Sequence, residues 1–146
     1  MKTVYVMRGI SGSGKSTYVN EVLKKDHPSI VHISQDFFWI DEFGNYNFQV
    51  FRMGEAVNWA FHQFMDALDS GSETIVVDNV NAQRWHYSLY VRLAKKYSYR
   101  VIVCQMPVIS KSLAFERNVH SVPDYVIQRQ IDSFERESEL TVRLVE

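Results

Sequence analysis

Short, mostly apolar runs alternate along this chain with longer segments whose apolar residues recur every three or four positions. The runs at residues 3–7, 30–33, 74–77 and 100–106 have the length and β-branched content of buried strands. Between them, residues 15–25 carry Val19, Val22 and Leu23 on one helical stripe, closed by Asp26-His27-Pro28-Ser29. Residues 50–69 carry Val57, Ala60, Phe61, Phe64, Met65 and Leu68 at helical spacing and stop at Ser70-Gly71. Helices are expected at 83–97 and 110–118, and a last one from Pro123, placed at a first helical position, to about residue 137. Residues 140–145 form a candidate final strand, and 138–146 could equally be a short tail.

Strands that alternate with helices predict an α/β fold, a parallel sheet of four or five strands covered by helices on both faces. In such sheets a ligand lies beyond the carboxyl ends of the strands. The residues that follow each run therefore carry the functional interest: 9–16, 34–36, 78–79 and 107 onward.

A chain of 146 residues is expected to form a single domain. Net charge is −1, so no overall basic field points to nucleic acid, although charge averaged over all faces leaves room for a small basic groove. Cys104 is the single cysteine and has no disulfide partner; inside Val101-Ile102-Val103 it reads as buried filler. The first strand begins almost at Met1 and no apolar run is long enough to span a bilayer, which leads to the expectation of an intracellular, cytoplasmic protein.

The most specific stretch follows the first strand: Gly9-Ile10-Ser11-Gly12-Ser13-Gly14-Lys15-Ser16-Thr17. It meets the phosphate-loop pattern G-x-x-x-x-G-K-[ST] at every required position. Its glycines let the backbone wrap a phosphate chain, and the N–H groups of the turn and the helix start point at the anion. Lys15 is expected at the β- and γ-phosphates of a nucleotide and Ser16 at Mg²⁺.

Other strand ends supply candidates. Asp36 is either a proton acceptor for a phosphoryl-accepting hydroxyl or a local turn residue. Asp78 closes Thr74-Ile75-Val76-Val77 in a Walker-B-like arrangement, a carboxylate for the metal or its waters. Arg117 is either a lid cation over the β/γ-phosphates, in a segment at about 117–123, or a surface partner of Glu116 or Asp124. His120 reads as structural. Among the aromatics at 37–48, Phe37, Phe38 and Phe48 read as core or cover, and Trp39 is the candidate acceptor contact. Histidine and cysteine positions show no metal-ligand spacing.

The segments Arg8–Thr17, Ile33-Ser34-Gln35-Asp36-Phe37-Phe38, Val76-Val77-Asp78-Asn79-Val80-Asn81 and Arg117–Pro123, in that order, resemble the P-loop kinase domain of phage-type polynucleotide 5′-hydroxyl kinases. They are more similar still to kinase-like P-loop domains grouped as AAA ATPases, as are Gly44-Asn45-Tyr46-Asn47-Phe48, Glu55-Ala56 and Trp59. The resemblance implies a three-layer P-loop NTPase fold of adenylate-kinase type, ATP as donor and Mg²⁺. It implies catalytic roles for Asp36 as general base, Lys15 and Arg117. Ser16 and Asp78 would serve the metal, with Trp39, Asp78 and Asn79 toward the acceptor. Where the phage-type kinases carry an acceptor-binding arginine two or three residues after the base, this chain has Phe38-Trp39.

Three functions are thus open: a kinase acting on the 5′-hydroxyl end of DNA or RNA, a kinase of a small-molecule hydroxyl such as a nucleoside, sugar or antibiotic, and an ATP-binding module without transfer activity.

Overall fold

The computed structural model describes residues 1–118 and 122–146. Five strands form one sheet in the order β2-β3-β1-β4-β5, every neighbouring pair parallel. They are β1 (Thr3–Arg8), β2 (Val31–Ile33), β3 (Thr74–Asp78), β4 (Arg100–Gln105) and β5 (Val142–Leu144). Residues 142–144 pair with Val103–Gln105, so the segment offered as strand or tail is the sheet's fifth strand.

Both faces are covered, as the near-continuous burial of β1 and β3 requires. Val4, Val6, Ile75, Val77, Val101 and Val103 point to one face, against helices α3 (Met53–Asp69) and α4 (Trp85–Lys96). Tyr5, Met7, Val76, Ile102 and Cys104 point to the other, against Val19 and Leu23. Burial pushes the Cys104 thiol up to about 11, an inert filler as its apolar neighbours suggest.

The helices depart from expectation in instructive ways. The first is α1 (Lys15–Tyr18) continued by a π-turn at Val19–Leu23 and by α2 (Lys24–Asp26). The wider π winding keeps Val19 and Leu23 inward and leaves Val22 exposed. In α3 the buried face is Ala56, Ala60, Phe64, Ala67 and Leu68, with Val57 exposed. Small alanines set that face because they let the helix approach the sheet closely. The helix also starts later than predicted, because Val50–Arg52 is a 3₁₀ turn. After α5 (Lys111–Glu116), α6 (Asp124–Ser133) starts one residue beyond Pro123, which is its N-cap, and stops short of residue 137.

The early stop has a physical cause. Residues 134–139 are committed to the segment that follows β3 and to the end of β1. Glu135 N–H donates to Ala82 O at 2.7 Å, the Arg84 amide donates to Glu135 Oε1 at 2.9 Å, and Tyr87 OH donates to Glu137 Oε1 at 2.5 Å. At the centre is Arg8, the last residue of β1 and fully buried. Its guanidinium donates to Asn81 O (2.8 Å), Ala82 O (2.9 Å) and Glu135 O (2.7 Å) and lies 5.0 Å from the Tyr87 ring and 4.7 Å from the Phe134 ring. Burial lowers its pKa, while Tyr87, Glu137 and Glu135 favour the charge.

Arg8→Met is expected to lower the unfolding free energy by about 3 kcal/mol, because the carbonyls of Asn81, Ala82 and Glu135 lose the guanidinium donor and Ala82 O keeps only the Glu135 N–H. Urea denaturation measures it; an unchanged midpoint would contradict the role given to Arg8.

Candidate active site

The phosphate loop is built on the end of β1. Gly12 and Gly14 hold left-handed φ of 84° and 95°, the latter as N-cap of α1. At Gly9 a Cβ would lie 2.4 Å from Ser13 Oγ and 2.8 Å from Met106, so the first glycine is required by space. Ile10 O accepts the Ser13 N–H at 3.1 Å, and Tyr18 N–H donates to Gly14 O at 3.0 Å, carrying the turn into the helix. Ser16 and Thr17, in the first turn of α1, are exposed at the mouth.

Lys15 Nζ donates to Gly9 O at 2.9 Å and Ile10 O at 3.2 Å, folded back on its own loop. Burial lowers its pKa; Asp78 and Asp36 act in the opposite direction. The sheet register explains the meeting with Asp78: β1 and β3 pair Met7 with Asp78, which sets the carboxylate beside the loop. Ser16 Oγ donates to Asp78 Oδ2 at 3.0 Å. The buried Asp78 Oδ1 makes no hydrogen bond among the described residues.

Two partners had no sequence signal. His32 Nε2 lies 2.8 Å from Asp78 Oδ2, with both side chains nearly buried, so the neighbouring strand orients the carboxylate. Gln130, from α6, accepts from the Ser11 N–H at 2.9 Å and donates to Ser11 Oγ at 3.1 Å, tying the last helix to the loop. A histidine inside the short run of β2 is marked by no motif, and a polar residue on a helix carries no mark of a loop over 100 residues away.

Asp36 stands on a 3₁₀ turn, Gln35–Trp39, capped by Ser34, whose Oγ accepts the Asp36 N–H at 3.2 Å. The side chain is exposed, and Tyr46 OH donates to its Oδ1 at 3.4 Å. Asn79 Oδ1 accepts the Gln35 N–H at 2.9 Å, tying the end of β3 to this turn, while the buried Asn79 Nδ2 makes no hydrogen bond among the described residues.

The structure corrects the aromatics. Trp39, expected to face the acceptor, is 4% exposed and packs edge-on to Phe38 and Phe48, so its ring is cover. Phe37, expected as cover, is 38% exposed next to Asp36, with its edge on His32 at 4.8 Å. Consecutive residues on a 3₁₀ turn point about 120° apart, so only one of the three rings faces inward.

Arg117 ends α5 with its guanidinium exposed; Nη1 donates to Gly12 O at 3.4 Å, against the loop and not in a surface pair with Glu116 or Asp124. Asn118 is hydrogen-bonded to both the N–H and the C=O of Val122. His120 and the middle of the expected lid lie outside the described residues. Among the described residues no group of three or more His, Cys, Asp or Glu could hold a metal ion, and no helix is long and apolar enough to cross a membrane.

A phosphate loop on a five-stranded parallel sheet, with a strand-end carboxylate bonded to the loop serine, defines a P-loop kinase-like nucleotide-binding domain. The AAA domain family matches residues 4–137, and the chain belongs to it. It is 34% identical over 145 residues to NEDD4-binding protein 2 of Homo sapiens, covering 92% of this chain and 8% of that protein. A chain of the Pnkp1/Rnl/Hen1 RNA repair complex shares the fold, with a TM-score of 0.70 at 16% identity over 91% of this chain and 44% of that one. So does a gluconokinase from Sinorhizobium meliloti 1021, with a TM-score of 0.58 at 19% identity over 98% of this chain and 81% of that one.

Replacing Lys15 with Met is expected to abolish the thermal stabilisation given by ATP. It should leave the ligand-free melting temperature no lower, because a buried cation is removed. A melting scan with and without ATP checks both; retained stabilisation by ATP would contradict the assignment.

Proposed function

We propose that this domain is an ATP-dependent phosphotransferase that moves the γ-phosphate to a hydroxyl, with the 5′-hydroxyl end of a DNA or RNA strand as the acceptor. The observation that carries the reading is Asp36: an exposed carboxylate on the turn that follows β2, whose charge favours that of Lys15. Lys15 in a phosphate loop marks the donor, so a carboxylate facing it stands where an acceptor hydroxyl must lose its proton.

In this reading the loop amides and Lys15 hold the ATP phosphates, Lys15 exchanging the Gly9 and Ile10 carbonyls for phosphate oxygens. Asp36 accepts the proton as the new O–P bond forms and the bond to the bridging oxygen breaks, releasing ADP. Arg117, already against the loop, neutralises charge on the transferring group. The Asp78–Ser16 pair fits Mg²⁺: one buried carboxylate oxygen makes no hydrogen bond among the described residues, the other meets a hydroxyl, and nucleotide phosphates with water would complete such a shell. Bound there, the ion would offset charge on the phosphates. His32 holds the carboxylate in place.

The polynucleotide acceptor is supported by Phe37, an exposed ring beside the proposed base that offers a stacking face. The similarity to a chain of an RNA repair complex agrees with it. A small-molecule hydroxyl is the second reading, favoured by the net charge of −1 and the fold shared with a gluconokinase.

Labelled γ-phosphate transfer to 5′-hydroxyl oligonucleotides tests the function. Wild type is expected to label them, and Asp36→Asn to lose roughly 10²–10⁴-fold in rate while still binding ATP. Labelling of neutral alcohols but of no oligonucleotide would move the assignment to the second reading. Equal rates in wild type and Asp36→Asn would remove Asp36 as base.

A further inference from the structure

The segment Gly44-Asn45-Tyr46-Asn47-Phe48 has so far no role, yet the chain builds it with care. Residues 40–46 form a tight hairpin in which Ile40 and Tyr46 make an antiparallel bridge. Asp41 organises the turn: Oδ1 accepts the N–H groups of Phe43 and Asn45 at 2.9 Å each, and Oδ2 accepts from Asn45 Nδ2 at 3.3 Å. Backbone bonds Asp41 N–H to Asn45 O (2.9 Å) and Gly44 N–H to Asp41 O (3.0 Å) close it, with Gly44 at φ 84°. Those bonds to a charged carboxylate hold Asp41 below the usual carboxylate range. The hairpin is anchored at its base, where Asn47 N–H donates to Trp39 O at 2.8 Å and the buried Trp39 packs against Phe48.

The product of this construction is the placement of one side chain. Tyr46 is returned over the 3₁₀ turn it left, ten residues after Asp36, with its hydroxyl 3.4 Å from Asp36 Oδ1. The ring is partly buried. Asp36 itself is exposed, on the five-residue turn Gln35–Trp39.

We propose that Tyr46 is a positioning residue for Asp36, its phenol donating to Oδ1 so that the carboxylate is held at one rotation toward the acceptor hydroxyl. The proposal rests on the reading of Asp36 as the proton acceptor. A phenol suits the task because it is a rigid donor with two side-chain torsions. Burial, and then the charge of Asp36, push the Tyr46 phenol above its ordinary value, so it keeps its proton throughout the neutral range. The charge of Asp36 also favours that of Lys15 in the phosphate loop. Trp39 and Phe48 support the hairpin from beneath, which explains why an aromatic expected at the acceptor is instead enclosed.

The test is Tyr46→Phe, which keeps the ring and removes only the donor. Transfer of γ-phosphate to a 5′-hydroxyl oligonucleotide is measured against pH, beside a carboxyl ¹³C titration of Asp36 in both nucleotide-free proteins. The expected result is a kcat roughly tenfold lower with KM for ATP within about twofold. The acid limb of the kcat profile and the Asp36 titration should both move to higher pH, since a carboxylate that loses a donor binds its proton more tightly. A kcat within about twofold of wild type overturns the proposal and leaves the kinase reading standing. So does a fall in kcat with an unmoved Asp36 titration, which marks Tyr46 as a strut for the hairpin. Wild type that transfers phosphate to no hydroxyl overturns the kinase reading, and the proposal with it, whatever the titration shows.

Discussion

Everything near the phosphate loop depends on a buried arginine at the end of the first strand. Arg8 immediately precedes Gly9, and its guanidinium gathers carbonyls from the segment after β3 and from the segment after α6. A buried cation is costly unless its donors are used and its charge is compensated. Here three carbonyls take the Nε and Nη2 donors, and two aromatic rings with the nearby Glu135 and Glu137 compensate the charge, while Nη1 makes no hydrogen bond among the described residues. The segments are thus drawn to the loop by the same group that ends the strand. Asn81, in left-handed conformation at φ 51°, completes the clasp by donating to Met7 O at 2.8 Å.

From that clasp the candidate site follows. With β3 and β1 in register through Met7 and Asp78, the second carboxylate arrives beside Ser16. With residues 134–139 bound to the β3–α4 connection, α6 lies where Gln130 reaches Ser11. Asn79 passes the constraint sideways to the turn that carries Asp36. The donor half is therefore held by buried hydrogen bonds between elements distant in sequence. The proposed acceptor half rests on one short turn and one hairpin, with exposed Asp36 and Phe37 at its edge.

That division also explains how much was legible in the residues. Strands, their parallel sense and the loop follow from patterns local in sequence: β-branched runs that alternate with helices, glycine spacing, a lysine and a hydroxyl at fixed offsets. Asp78 stands out because a carboxylate directly after an apolar run lies at a strand end, and Asp36 because only Ser34 and Gln35 separate it from one. Arg8 did not, because its partners lie as far as 127 residues away and are backbone carbonyls, which have no sequence identity. The partnership of His32 with Asp78 requires knowing that β2 lies beside β3 in the register Ile33 to Val77. The exchange of roles between Trp39 and Phe37 depends on the rotation of a single 3₁₀ turn, below what periodicity can specify. Periodicity places Val57 inward for a similar reason: a stripe of large residues masks the alanine face that the sheet uses.

The central claim is that donor and acceptor meet between the phosphate loop and Asp36. The most direct measurement is a crystal structure with Mg²⁺, ADP, aluminium fluoride and a 5′-hydroxyl dinucleotide. The account predicts the fluoride complex between loop and acceptor, Lys15 turned from Gly9 and Ile10 onto it, and the 5′-hydroxyl within hydrogen-bonding distance of the Asp36 carboxylate. A dinucleotide bound with its 5′-hydroxyl away from Asp36, or a fluoride complex that leaves Lys15 on its own loop carbonyls, would contradict it.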